Sequence, residues 1–326
     1  MTTLTTAGGA AGGIRGWIGD WVSAWNAFWF TPADPLPLAG IRIGTGLLLV
    51  WANLVWLVDA DAFFGPAGWL AVDDVWRMND QPWQWSWYFA FPNAVRGLAV
   101  VSLVASVMLT LGLASGLAAL VSFLGLVSAA NRAPLNVFGL DDTLGMLLVP
   151  LIVGPCGARW SLDACLRGAG QGRGESVRAG VALRLLQLHL CVVYLFSGCG
   201  KMLGASWWEG TALWGALANV QYRTLDLTGL AAHPLVVNAL TLGTLFWEAG
   251  YAALVWPRLT RPLVLAMAVA VHLGIGLAMG MMEFGLAMIT ANLAFLPASG
   301  WECIAAPFRS HRSAPPRSPG SSTGSP

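Results

Sequence analysis

VALRLLQLHLCVVYLFSGCGKML, residues 181–203, decides the fold. Apolar side chains fill the stretch without alternation, and its length matches the ~20 residues a helix needs to cross a bilayer. A barrel strand would alternate apolar and polar faces over a shorter run. Backbone N–H and C=O groups find no water in lipid, so only helices and closed barrels span it. The pattern here predicts a helix.

Comparable runs recur along the chain. They predict spans at about 38–58, 95–112, 115–131, 140–156, 181–203, 234–256, 262–281 and 284–298. Residues 13–30 place Trp17, Trp21, Trp25 and Trp29 four apart on one helix face. That segment reads as an interfacial amphipathic helix, and its reading decides between seven and nine spans around the preferred eight. The loop 59–94, with WRMNDQPWQWSWYFAF at 76–91, reads as a lid or interfacial segment, and 204–233 as a mixed stretch with a short re-entrant or interfacial helix. Residues 1–12 lack a basic n-region and read as a flexible start rather than a secretory signal. Residues 299–326 have the composition of a disordered tail. The organisation is thus a flexible 1–12, a transmembrane domain over 13–298 and a tail, and the fold class is an all-α integral membrane protein.

Composition agrees. Hydrophobic residues make up 56% of the 326 and charged ones 10%, against about a quarter charged in soluble domains. The 18 tryptophans suit the bilayer–water boundary, where an apolar ring and a polar N–H are both satisfied. A net charge of +1 gives no basic surface for nucleic acid, so the bilayer is the first partner. Cys156, Cys165, Cys191, Cys199 and Cys303 have no metal-like spacing, and no metal is predicted. Arginines gather at 157–180, at Arg258 and Arg261, and at Arg309, Arg312 and Arg317. With eight spans these fall on one side, which the positive-inside rule makes cytoplasmic together with both termini of a plasma (inner) membrane protein.

Ionisable groups inside spans are costly and invite a functional reading. Lys201 is the single lysine among 17 basic residues. Ser197 and Tyr194 lie four and seven residues earlier on the same helix face. A buried lysine amine can lose its proton where an arginine does not, so Lys201 is either a base or a lysine snorkelling to the interface. His272 sits mid-span among small residues, as a functional group or as a histidine bridging helices by a hydrogen bond. Glu248 pairs with a cation or carries a proton. Asp141 and Asp142 open the fourth span, where aspartate also serves as a helix cap. Arg42, near the start of the first span, pairs with one of these carboxylates or snorkels.

Six stretches, taken in order, resemble the HTTM-domain proteins, a family related to vitamin K-dependent γ-carboxylase. They are DPLPLAGIRIGTGLLL (34–49), LTLGLASGLAALVSFL (109–124), NRAPLNVFGLDDTLGMLL (131–148), RWSLD (159–163), RLLQLHLCVVYLFSGCGKMLGASWWEGTALWGAL (184–217) and VHLGIGLAMGMMEFGLAMI (271–289). The resemblance spans about residues 30–298. It implies a carbon–carbon lyase-type carboxylase in which Lys201 deprotonates a reduced quinone, a vitamin K-like hydroquinone. O₂ then converts the quinol to a basic alkoxide that removes a glutamate γ-proton, and the carbanion takes up CO₂. On this reading Lys201, His272 and Asp141 are catalytic, while Tyr194, Ser197, Trp207, Trp208 and Asp142 hold the cofactor. The carboxylase has Asn-His where this chain has Leu140 and Asp141, and a large C-terminal part that docks its protein substrate. The resemblance therefore leaves two classes open. One is an enzyme acting on a secreted peptide or protein at the extracytoplasmic face; the other is a non-catalytic membrane protein assisting such a partner's maturation or export. Proton-coupled transport is a weaker third idea, because no internal repeat accompanies Glu248 and His272.

Overall fold

Each of the eight predicted spans is a helix in the computed structural model, which describes residues 8–78, 84–168, 174–297, 300–301 and 303–304. Parts of the segments predicted at 1–12, 59–94, 157–180 and 299–326 lie outside the described residues. The chain divides into Met1–Phe295 and Leu296–Pro326. In the second unit, Gly300 and Trp301 donate backbone hydrogen bonds to the Pro297 carbonyl. The first unit holds the long helices α1 (Gly8–Phe30), α2 (Leu36–Val58), α3 (Val95–Leu111), α4 (Ser115–Arg132) and α5 (Gly139–Val153). It continues with α6 (Val177–Met202), α7 (Pro234–Leu254), α8 (Arg261–Met279) and α9 (Met282–Asn292).

Five of these are long and apolar enough to cross a bilayer: α2, α3 with the turn from Pro92, α4, α6 and α8. Their outward faces carry Leu47, Trp51, Leu54, Val100, Val104, Leu117, Val192 and Phe196, side chains suited to lipid rather than water. The protein is an all-helical integral membrane protein. The other three predicted spans are less typical. α5 has 15 residues and includes Pro150, α7 carries Asn238 and Glu248, and α9 has 11 residues before a 3-10 turn to Phe295. α5 is also interior: Leu144, Leu147, Leu148 and Leu151 are fully buried, as expected of a helix enclosed by others.

Sequence sets the helix ends. Asp34 Oδ1 accepts from Leu36 N at 2.8 Å, and Pro35 costs no hydrogen bond there, so α2 starts cleanly. Ser176 Oγ accepts from Ala179 N at 3.2 Å at the start of α6. α3 stops at Gly112, whose φ of 72° is the left-handed conformation that favours glycine at a helix end.

Two buried arginines tie the bundle together. Arg42 was expected to pair with a carboxylate or to snorkel; it does neither. It is wholly buried and donates Nη1 to Leu109 O (2.5 Å) and Thr110 O (2.7 Å), Nε to Cys156 O (3.1 Å) and Nη2 to Trp160 O (2.6 Å). The carbonyls at a helix C-terminus lack intrahelical partners and carry partial negative charge, so a guanidinium satisfies them without any acid. The start of α2 thereby meets the end of α3 and the turn after α5. At the same end, Ala33 pairs with Ser176, Arg178 donates to Val153 O, and Gln187 donates to Ala294 O. At the opposite end, Arg132 closes α4 by donating to Phe64 O, Gly65 O and Leu70 O in the connection after α2. Successive helices therefore alternate in direction, with Arg159, Arg167, Arg178 and Arg261 at the Arg42 end and Lys201 at the other.

Candidate functional site

α6 turns Ala182, Leu186, Leu190, Tyr194 and Gly198 inward at strict four-residue spacing. Gly198 ends that stripe at a close crossing with α7: a Cβ there would lie 2.6 Å from Ala249 N. Without a hydrophobic drive between helices in lipid, close approach through small residues is what makes such crossings pack. The crossing sets Lys201, three residues on, beside Glu248, one residue before Ala249.

Lys201 Nζ lies 2.6 Å from Glu248 Oε2 and donates to Ser197 Oγ at 2.7 Å. The contact with Glu248 is an ion pair whose direction departs from hydrogen-bond alignment, and Oε2 accepts no other bond among the described residues. Side-chain exposure is 22% for Lys201 and 9% for Glu248, so the amine is the reachable member of the pair. Trp207, in the short helix Ala205–Trp208 that follows α6, presents its ring 5.3 Å from Nζ. Trp208 donates Nε1 to Met202 O at 2.7 Å and packs its ring on Phe246. Residues 204–233, expected to hold one short helix, form two short helices (Ala205–Trp208 and Ala212–Ala218) and the 3-10 turn Thr228–Ala232. Thr224 anchors this cap to the end of α8 by donating Oγ1 to Leu277 O at 2.5 Å.

A second polar group lies one to two turns deeper. His272 Nε2 and Tyr194 OH are 2.7 Å apart. Asn292 Nδ2 donates to Tyr194 OH at 3.0 Å, and Tyr251 OH donates to Asn292 Oδ1 at 2.7 Å. All four residues are buried. Tyr194 and Tyr251 stack with centroids 3.9 Å apart, and Trp247 meets Tyr194 edge-on. α9 can lie against His272 because Gly285 has no side chain: a Cβ there would meet the His272 carbonyl at 2.4 Å.

Six of the eight sequence-predicted site residues thus fall into these two groups: Lys201, Ser197, Trp207 and Trp208 in one, His272 and Tyr194 in the other. Asp141 and Asp142 do not join them. Asp141 is buried at the start of α5, where its Oδ2 accepts from Phe138 N at 3.0 Å, the reach-back bond of a helix N-terminus. Among the described residues no hydrogen bond or ion pair links it to Lys201 or His272. Phe284 stands between, packing on His272 at 5.8 Å and against Gly139. Asp142 is exposed. Glu248 was expected to meet a cation or carry a proton, and the cation is Lys201. Asn292 and Tyr251 escaped the sequence reading; the available signal was an amide inside the apolar run MITANLAF.

Asp163, in the connection between α5 and α6, serves the other end. It accepts from Ala114 N (2.8 Å), Ser115 N (2.9 Å) and Ser115 Oγ (2.7 Å). Partial burial works to raise its pKa, but the bonds from Ser115 and Ala114 and the nearby Arg167 outweigh it and hold the carboxyl below its usual range. Arg159 reaches Asp34 at 3.1 Å. The stretches 34–49, 109–124 and 159–163 therefore interlock at the Arg42 end, while 184–217 and 271–289 build the Lys201 end.

Comparison with known proteins matches residues 98–301, more than half the chain, to the HTTM domain. No curated protein and no solved structure matches. The chain belongs to the HTTM-domain family, the membrane domain related to vitamin K-dependent γ-carboxylase.

Proposed function

We propose that this protein is a membrane enzyme of the γ-carboxylase-related class in which Lys201, partnered by Glu248, acts as a base toward a reduced quinone. The observation that carries the reading is the 2.6 Å contact between Nζ and Oε2. A lone ammonium at a helix end is only a charge. Set against a carboxylate, it is half of a pair through which one proton can pass after a small side-chain rotation. Nζ would first pass a proton to Oε2 and then, as the free amine, take one from an acidic hydroxyl.

The residues present suit the head of an aromatic diol. Nζ and Ser197 Oγ are the hydroxyl partners, the Trp207 face lies beside the amine, and His272 Nδ1 is a buried polar atom without a hydrogen bond among the described residues. When bound, a quinol with O₂ would supply the strong base needed to remove a carbon-bound proton ahead of CO₂ addition. The Arg42 end, with its arginine-bearing connections, would face the cytoplasm in an eight-span arrangement within the plasma (inner) membrane. Lys201 and its cap would then face the extracytoplasmic side, where a secreted peptide or protein meets the site. Asp141 is left as the cap of α5 in this scheme.

The test is turnover by purified protein in lipid nanodiscs with a reduced naphthoquinone, O₂, CO₂ and glutamate peptide. Lys201→Ala and Lys201→Arg should both lose quinol consumption by at least ~10²-fold, the lower range for general-base removal. Full turnover in Lys201→Arg would overturn the base, because guanidinium keeps the charge but not the chemistry. A second reading, a non-catalytic partner in maturation or export, draws on Glu248 already neutralising Lys201. It predicts no turnover in the unaltered protein and normal partner maturation in Lys201→Arg.

A further inference from the structure

The buried chain of Tyr251, Asn292, Tyr194 and His272 has a direction. Asn292 fixes it, because its amide can be placed only one way round: Nδ2 also donates to the Met288 carbonyl at 2.9 Å, where an amide oxygen would face another oxygen. Oδ1 is therefore the acceptor and receives the Tyr251 hydroxyl hydrogen at 2.7 Å. Nδ2 donates its second hydrogen to Tyr194 OH at 3.0 Å, so that oxygen is already an acceptor. The Tyr194 hydrogen then has one polar partner left, His272 Nε2 at 2.7 Å. Were Nε2 to carry the hydrogen instead, the Tyr194 hydroxyl hydrogen and the Nδ1 lone pair would both be buried without partners. The first arrangement leaves a single orphan, the Nδ1–H, on a side chain only 4% exposed. Leaving a buried donor unmet is unfavourable, so the arrangement with one orphan prevails over the one with two.

We propose that Asn292 and Tyr194 form a positioning relay. The relay holds His272 as the neutral Nδ1–H tautomer, so that it offers one directed N–H to an acceptor oxygen of the bound ligand. The tautomer of an imidazole is set by the bond its other nitrogen makes, and here that bond is made by a tyrosine whose own direction is imposed from α9. The class of group recognised is a carbonyl, ether or deprotonated hydroxyl oxygen. The inference rests on the quinol reading for the ligand's identity but not for the tautomer itself.

The experiment is ¹⁵N-histidine NMR of the full chain in lipid nanodiscs, with His189, His233 and His311 replaced so that only His272 reports. The unaltered relay should show a protonated Nδ1 and an unprotonated Nε2. Asn292→Asp replaces the two-hydrogen Nδ2 by a carboxyl O–H, whose one hydrogen keeps the Met288 bond and whose oxygen takes the Tyr194 hydrogen. Nε2–H must then donate to Tyr194, and the two nitrogen signals should exchange identity. Tyr251→Phe keeps the Met288 and Tyr194 bonds and should leave the tautomer unchanged. A protonated Nε2 in the parent protein overturns the relay, as does an Asn292→Asp spectrum that matches the parent. Should Asn292→Asp fail to insert, the parent spectrum decides alone. Because the readout needs no turnover, a parent with the expected tautomer but no quinol consumption would refute the enzyme reading and leave the relay standing.

Discussion

Arg42 and Lys201 are both cations within helices of one bundle, and the protein treats them in opposite ways. Arg42 is wholly enclosed and meets only main-chain carbonyls, on α3 and in the connection after α5. Lys201 is partly reachable and meets side chains, a carboxylate and a hydroxyl. A guanidinium holds its proton and presents a rigid fork of donors, so it serves as a fixed cross-brace between segments. An amine beside a carboxylate can exchange a proton with it. One end of the bundle is held by a rigid fork of donors, the other by an ion pair with one partly exposed member.

The largest effect should come from breaking the brace. Arg42→Met strips the donor from the carbonyls of Leu109, Thr110, Cys156 and Trp160. Leu109 O keeps its bond from Gly112 N, and each other buried carbonyl left unmet costs about 1–3 kcal/mol, a sizeable share of the 5–15 kcal/mol stability of a typical domain. Loss of a monodisperse peak in fluorescence-detected gel filtration is the expected result. Arg42→Lys should fare little better, since one Nζ cannot reach carbonyls on separate segments. A parent-like melting temperature for either variant would erase the contrast with Lys201.

An intermediate effect is expected at the Lys201 end. Glu248→Gln or Lys201→Met alone strands one charge, a loss of up to about 3–5 kcal/mol for a buried pair and less here because the lysine is partly exposed. The double variant removes both charges and should regain much of the stability. Thermal melts of the four proteins form a double-mutant cycle. Strict additivity would mean that the pair does not act as a unit.

The smallest effect concerns Asp163, which supports the Arg42 end from outside the spans. Its carboxyl is held below the ordinary range, so its contribution is full above the unfolded value near 4. That contribution fades as pH falls through the lower folded value. Asp163→Asn should therefore lower the melting temperature modestly at pH 7 and progressively less as pH falls below about 4, narrowing the acid sensitivity of this end. An unchanged pH profile would show that the bonds from Ala114 and Ser115 hold nothing.

Much of this was legible in the chain itself. The apolar runs gave every long helix after α1, because a segment in lipid must satisfy its own backbone and helix length follows from bilayer thickness. Lys201 stood out as the only lysine, and its four-residue spacing from Ser197 placed both on one face before any packing was known. Asp141 was read two ways, and its helix-capping role is the one the geometry displays. Arg42 was misread because its partners are main-chain oxygens, and backbone carbonyls look the same at every position of a sequence.

What the sequence determined alone was local: which segments are helical, where they begin and end, and which residues share a face. Periodicity and capping act within a few residues and so can be read along the chain. Which faces meet was decided only by tertiary structure. The approach of α7 to Gly198 made a pair of Lys201 and Glu248, and that of α9 at Gly285 placed Asn292 where it can orient Tyr194 and His272. Those contacts join residues 47, 78 and 98 positions apart, and no local rule links them. The membrane fold was written in the runs; the polar chemistry inside it arose from how closely two glycines let their helices pack.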